Sequence, residues 1–175
     1  ASAIYSTAMG LSTQASGSAS TAMGRLTEAT GTSSTAIGYD TEANGSFSTS
    51  MGYDTEASGQ SSTAMGSETV ASGSSSTSMG VGTEAIGDFS IAMGLNLIAS
   101  GNVSTAMGNS TEARGFASLA IGQYNVINNG DSTTVYAATS TAFSIGNGTG
   151  NASRSNAFSV LFNGNVTAGS VIATS

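Results

Sequence analysis

The chain has 175 residues, 24 of them glycine, with six phenylalanines, five tyrosines and no tryptophan, so it has the length of one domain without the large side chains of a conventional core. Ten acidic residues against three basic ones give a net charge of −7, which argues against nucleic acid or an anionic bilayer surface as a partner, because phosphate neutralisation needs clustered Lys and Arg. Without cysteine or histidine there are no disulfides, no thiolate or imidazole metal ligands and no imidazole base, so neither a cofactor nor a metal is expected.

The phrase Ser6-Thr7-Ala8-Met9-Gly10 opens the chain's rhythm and returns every 14 residues, its last residue recurring from Gly24 to Gly122. A second phrase, first Thr13-Gln14-Ala15-Ser16-Gly17, alternates with it, and two spacer residues separate each phrase from the next. A fixed short period signals stacked structural units. A disordered linker of the same Gly, Ser, Thr and Ala content would not hold a methionine in register over nine periods. Each phrase has the length of a short strand, and its closing glycine is expected to supply the positive φ of a tight corner. Two strands and two corners make one coil of an all-β roll. No apolar run is long enough to cross a bilayer, and the start at Ala1 suggests a processed or partial form of a longer protein.

Side chains alternate faces along a strand. In the second phrase, Gln14 heads a column continued by Glu28, Glu42, Glu56, Glu84 and Glu112, which must face water, so Thr13 and Ala15 point inward. The first phrase carries no charge to orient it. Either Thr7 and Met9 fill the coil, or Ser6 and Ala8 do and the methionines face outward. The second arrangement is favoured, because the serine column is invariant from Ser6 to Ser118 and the alanine column changes only to Ser50 and Ser78. The threonine column, by contrast, grows to Ile91 and Leu119, which an interior limited to small side chains would resist. An apolar ladder then runs down one outer face: Met9, Met23, Ile37, Met51, Met65, Met79, Met93, Met107 and Ile121, widened by Ile91 and Leu119. A soluble protein does not leave such a stripe in water, so several chains are expected to bury it along a common axis.

These phrases, and most closely Ser34-Thr35-Ala36-Ile37-Gly38 and Ser118-Leu119-Ala120-Ile121-Gly122, resemble the head repeats of the YadA-like trimeric autotransporter adhesins over about residues 2–122. The resemblance implies a left-handed parallel β-roll, a homotrimer around the apolar axis, an extracellular place and a role in attachment. The departure is methionine for isoleucine and threonine for valine in most copies.

After Gly122 the rhythm breaks. Gln123-Tyr124-Asn125-Val126-Ile127-Asn128-Asn129-Gly130 keeps an echo of it with the glycine one position late. The division expected is a roll over 1–128 and a small β foot over 129–175, built from antiparallel strands at Ser132 to Ala138, Ala142 to Gly146, Ala157 to Phe162 and Val166 to Ala173, with a hairpin turn at Asn163-Gly164. The stretches Ser144 to Gly150 and Ser153 to Leu161 look like a segment that precedes self-cleaving intramolecular chaperones in phage tail fibres and related bacterial fibres. That resemblance implies Ser175 as a processing terminus; an arbitrary boundary is the competing reading.

No catalytic constellation is visible, since the abundant Ser and Thr have no His, Cys or Lys as base, and the chain reads as a non-enzyme. Glu28, Glu42 and Glu56 stack one coil apart, a solvated charge column rather than a converging calcium cage. Variable corners on a rigid scaffold are where recognition usually sits. Tyr39, Asp40, Tyr53 and Asp54 share one corner, with Phe47, Phe89 and Phe116 at the opposite ones, and these are the candidate contacts to a cell-surface glycan or protein receptor. Packing against a neighbouring chain competes with that role. Val70 and the stretch Asn96-Leu97-Ile98 interrupt the glutamate column with apolar residues, marking either a lateral contact or neutral drift. The function expected is attachment by a trimeric fibre head on a bacterial surface, a phage tail or a phage-like injection device. A fibre spacer without a ligand, or an ice-binding threonine array, are the alternatives.

Overall fold

A computed structural model describes residues 1–169, which form strands, corners and turns and no helix. In chain order the strands are β1 (Thr7–Leu11), β2 (Gln14–Ala15), β3 (Thr21–Arg25), β4 (Glu28–Ala29), β5 (Thr35–Ala43) and β6 (Thr49–Ala57). Then come β7 (Thr63–Ser67), β8 (Val70–Ala71), β9 (Thr77–Val81), β10 (Glu84–Ala85), β11 (Ile91–Leu95) and β12 (Ile98–Ala99). The last six are β13 (Thr105–Asn109), β14 (Glu112–Ala113), β15 (Leu119–Gln123), β16 (Thr141–Asn147), β17 (Asn156–Leu161) and β18 (Val166–Ala168).

Strand residues pair with their counterparts in the next coil, Met9 with Met23 and Ala15 with Ala29, so the strands stack parallel and in register in two rows. The long strands β5 and β6 pass through a corner and belong to both rows. The interior is a column of small residues. Ala22, Ala36 and Ser20 from one row meet Thr27, Ala29 and Ala43 from the other, all fully enclosed. Where serine replaces the interior alanine, its hydroxyl has a partner across the coil: Ser50 Oγ lies 2.7 Å from Thr55 Oγ1, and Ser78 Oγ 2.7 Å from Thr83 Oγ1. The hydroxyls of Ser34, Ser48 and their equivalents make no hydrogen bond, although Ser20 in the same place donates to the Gly17 carbonyl at 2.7 Å.

Corner geometry differs from the expectation. Each corner has two spacers, and the second takes the left-handed conformation, with φ near +55°: Ser12, Leu26, Asp40 and Asp54 on one side, Ala19, Ser33, Phe47, Phe89 and Val103 on the other. Asp and Asn accept this region readily, whereas Phe and Val in it each cost about 1 kcal/mol. The glycines do a different job. Gly10 and its column do have positive φ, but Gly17, Gly31 and Gly45 do not, and both columns are glycine because an added Cβ would run into the backbone carbonyl of the glycine one coil ahead.

The interior is also less restrictive than expected. Leu97 occupies the inward threonine column and is 0 % exposed, the largest fully buried side chain in the roll, so Leu97 is core and only Val70 and Ile98 stand in the outward glutamate column. A single large residue fits because its neighbours Ala85, Ala92, Ala99 and Ala106 are all minimal.

The region after Gly122 is corrected in two respects. Ser132 to Ala138 forms bends and turns rather than a strand, and β16 packs parallel on β15, Ile121 opposite Ile145 and Gly122 opposite Gly146. Residues 141–147 are thus a further rung of the roll, reached after a ten-residue lengthening of the usual 14-residue interval. The antiparallel expectation holds for β17 on β16 and β18 on β17, joined through Asn163 and Gly164, the latter at φ +86°. Residues beyond 169 of the expected last strand, and Ser175, lie outside the described residues.

The second strand row ends differently. Asn125 stands where the interior threonine of the next coil would be, and its side-chain amide replaces backbone: Oδ1 accepts the Glu112 N–H at 2.8 Å and Nδ2 donates to the Glu112 carbonyl at 2.9 Å. In ordinary coils the same N–H meets a main-chain carbonyl, as Gln14 does with Thr27 at 2.8 Å. The 130s segment closes the corner, with the carbonyls of Thr133 and Ser132 accepting the N–H groups of Asn102 and Phe116, both at 2.7 Å. Asn125→Ala is expected to leave the two Glu112 backbone groups without their partner in a half-buried site and lower stability by about 1–3 kcal/mol, read as a reduced urea midpoint at unchanged slope.

Candidate functional site

Three surfaces stand out around the roll. On the outer face of the first row, Met9, Met23, Ile91, Met93, Met107 and Leu119 are exposed, while Ile37, Met51, Met65, Met79 and Ile121 are half-buried among their column neighbours. Strict register makes this an unbroken apolar ladder, and β16 and β17 prolong it through Phe143, Ile145 and Phe158, with Phe158 opposite Ile145. The residue after each corner glycine widens it in places, at Leu11, Val81 and Leu95, all exposed. That second column has no fixed residue type, so the repeat did not advertise it.

The second surface is the corner after the first phrase. In-register stacking lays the Tyr39 ring on that of Tyr53, centroids 5.3 Å apart and 9° from parallel, and the Arg25 guanidinium covers the other side of Tyr39 at 5.3 Å. Asp40 and Asp54 are exposed at the left-handed position beside them. Of the other aromatics, Phe47 and Phe89 occupy the left-handed position of the opposite corner three coils apart and do not meet; Ile86 and Val103, both exposed, flank Phe89. Phe116 sits one position earlier in its corner and is half-buried. Tyr39, Asp40, Tyr53 and Asp54 are therefore one cluster, and the three phenylalanines are not part of it.

The third surface, at the capped end, was not foreseen. Glu112 is held between two of the three basic residues, with Arg114 at 2.8 Å on one carboxylate oxygen and Arg154 at 3.4 Å on the other. Arg154 also donates to the carbonyls of Ser110 and Asn125 at 2.9 and 3.2 Å and lies over the Tyr124 ring. Its partners Ser110, Glu112 and Asn125 lie 29 to 44 residues away in sequence, a distance that no local pattern reveals. Nearby, Asp131 accepts from the Thr141 N–H and from Asn128, both at 2.8 Å. Burial pushes its carboxyl above the ordinary 3.8, against the opposing effects of Thr141 and Arg114. Because this acid is harder to ionise folded than unfolded, its contribution to stability falls as pH rises from about that ordinary value through the raised one.

Among the described residues no three acidic side chains converge on a point that could hold a metal ion. Glu28 and Glu42 are instead bound up with side-chain amides, Gln14 at 3.4 Å and Asn44 at 2.9 Å.

The profile of the YadA head domain repeat matches residues 1–27, 29–55, 57–82 and 71–96, more than half of the chain. The chain belongs to the YadA head-repeat family. Its roll is accordingly the family's left-handed parallel β-roll, an adhesin-type architecture rather than an enzymatic one. Heads of this family are extracellular, form homotrimers and adhere to host targets. The matched residues stop at 96, but the same coil geometry continues through β15 and, after the insertion, into β16. Among curated proteins none matches the chain at a significant level.

Proposed function

We propose that the chain is the head segment of a homotrimeric fibre that attaches to a glycan or protein on a cell surface, displayed by a bacterium or by a phage or phage-like tail. The observation that carries this reading is the continuous apolar ladder from Met9 to Ile121 on the outside of a roll whose interior is already filled. Three such faces meeting on an axis would remove it from water and leave the corners and the glutamate column to face outward. Ile91 and Leu119 then fill space between protomers rather than within one. The segment from residue 129 serves as the foot of the trimer, with its first strand docked as a rung. Its likeness to chaperone-processed fibres supports the phage-like alternative for the display platform.

On this reading the Tyr39, Asp40, Tyr53 and Asp54 cluster contacts the receptor, with Phe47, Phe89 and Phe116 as further contacts. Binding of fluorescently labelled protein to target cells tests it. Changing Tyr39, Tyr53 and Phe89 together to Ala is expected to weaken attachment about tenfold or more, as for other exposed aromatic anchors. Unchanged attachment would favour the ligand-free spacer instead.

A further inference from the structure

The glutamate column is broken at the place where a cleft opens. Ile98 stands in register between Glu84 and Glu112, and it points outward because Leu97 before it points in. Beside it, Asn96 takes the left-handed corner position, and one coil further on Glu112 and Ser110 continue the wall. Tyr124 and the returning segment, through Asn151 and Arg154, close the far side. The cleft is open to solvent and offers about 470 Å³, within the range of small-ligand sites.

Its walls combine an apolar floor with fixed polar groups. Asn151 uses Oδ1 to accept from Arg154 at 2.9 Å, which leaves its amide N–H groups as donors. Asn96 is exposed and adds an amide with both donors and acceptor. The charges do not select an anion: Arg154 already gives Nη1 to the carbonyls of Ser110 and Asn125 and Nη2 to Glu112 and Asn151, Arg114 is paired with the same Glu112, and the chain as a whole carries −7. A ligand with one apolar C–H face and several uncharged hydroxyls matches this set.

The geometry points to a subsite for a neutral hexopyranose, its C–H face on Ile98 and its hydroxyls on Asn96, Asn151 and Glu112. This deepens and rests on the attachment reading, and places a sugar contact more than three coils from the Tyr39 and Tyr53 corner. Substituting Ile98 restores the column's own residue, so Ile98→Glu keeps the coil while putting a charge on the floor. Asn151→Ala removes a donor from a turn outside the roll.

Saturation-transfer NMR with methyl glycosides of glucose, galactose, mannose and N-acetylglucosamine, and with sialyllactose as the anionic probe, tests the assignment. At least one neutral glycoside is expected to bind with a Kd on the order of 1 mM, and both substitutions are expected to weaken it by about tenfold or more. No neutral glycoside binding, a preference for sialyllactose, or undiminished affinity in Ile98→Glu would overturn it. Cell attachment measured on the same proteins separates the two readings. Attachment by the unmodified protein without glycoside binding rejects the cleft and keeps the adhesive role; glycoside binding without attachment does the reverse.

Discussion

Met51→Glu combined with Met65→Glu is expected to convert the proposed trimer into folded monomers. Both side chains stand on the outer ladder, paired in register, half-buried by their column neighbours and outside the filled interior of the coil. Burying a side chain of this size is worth roughly 1.5–3 kcal/mol, so losing two removes on the order of 3–6 kcal/mol of association per protomer. The new carboxylates add to the loss, because six of them would face one another on a dry axis with no cation available. The coil itself should survive, since Ala36, Ser50, Ala57 and Ala64, which fill it, are untouched. Sedimentation equilibrium reads the assembly and circular dichroism the strands. Met51→Leu with Met65→Leu, which conserves volume, should remain trimeric. A glutamate variant that still sediments as a trimer, or an unmodified protein that sediments as a monomer, would refute the axis.

Gly59→Ala is expected to destabilise the roll strongly although it adds a single methyl group. Gly59 is buried and has no positive φ, so backbone strain is not at issue. The added Cβ would collide with the carbonyl group of Gly73 and lie 2.9 Å from the Ser72 carbonyl oxygen. Neither is a side chain able to turn away; relief requires the coils to part, and the strand register with them. Overpacking costs 1–3 kcal/mol in ordinary cores, and here about 3 kcal/mol or more is expected because only main chain can yield. Gly150→Ala, where nothing lies within 4 Å, supplies the control and should stay within about 0.5 kcal/mol. Equal urea midpoints for the two variants would show that the stacking is looser than this geometry requires.

Much of the roll could be read from composition columns. One charged column sufficed to orient the second phrase, and the constancy of Ser6 to Ser118 oriented the first, because an interior this narrow tolerates little variation. What escaped were features set by contacts between distant residues or by exceptions to the period. Leu97 read as a surface irregularity because it sits beside Ile98, yet a neighbourhood of alanines gives it room inside. The rung at 141–147 escaped because ten extra residues precede it, although Ser144-Ile145-Gly146 repeats the ending of Ala120-Ile121-Gly122 almost unchanged. Asn125 gave no signal as a cap, since only the missing neighbouring strand turns its amide into a substitute for main chain. In the candidate contacts, the tyrosine stack follows from a 14-residue spacing, whereas the Arg154 cluster depends on a chain reversal that no periodicity encodes.

The parallel ladder also determines how the head would respond to being pulled. Its hydrogen bonds run along the length of the roll, so tension between the two ends loads the coil interfaces in series. The weakest then opens before the others. Each coil that peels away surrenders about 5 Å of stacked height and releases 14 residues, roughly 46 Å of extended chain. In the proposed adhesive role, a cell held by the head and pulled by flow would therefore meet a graded extension rather than a single rupture.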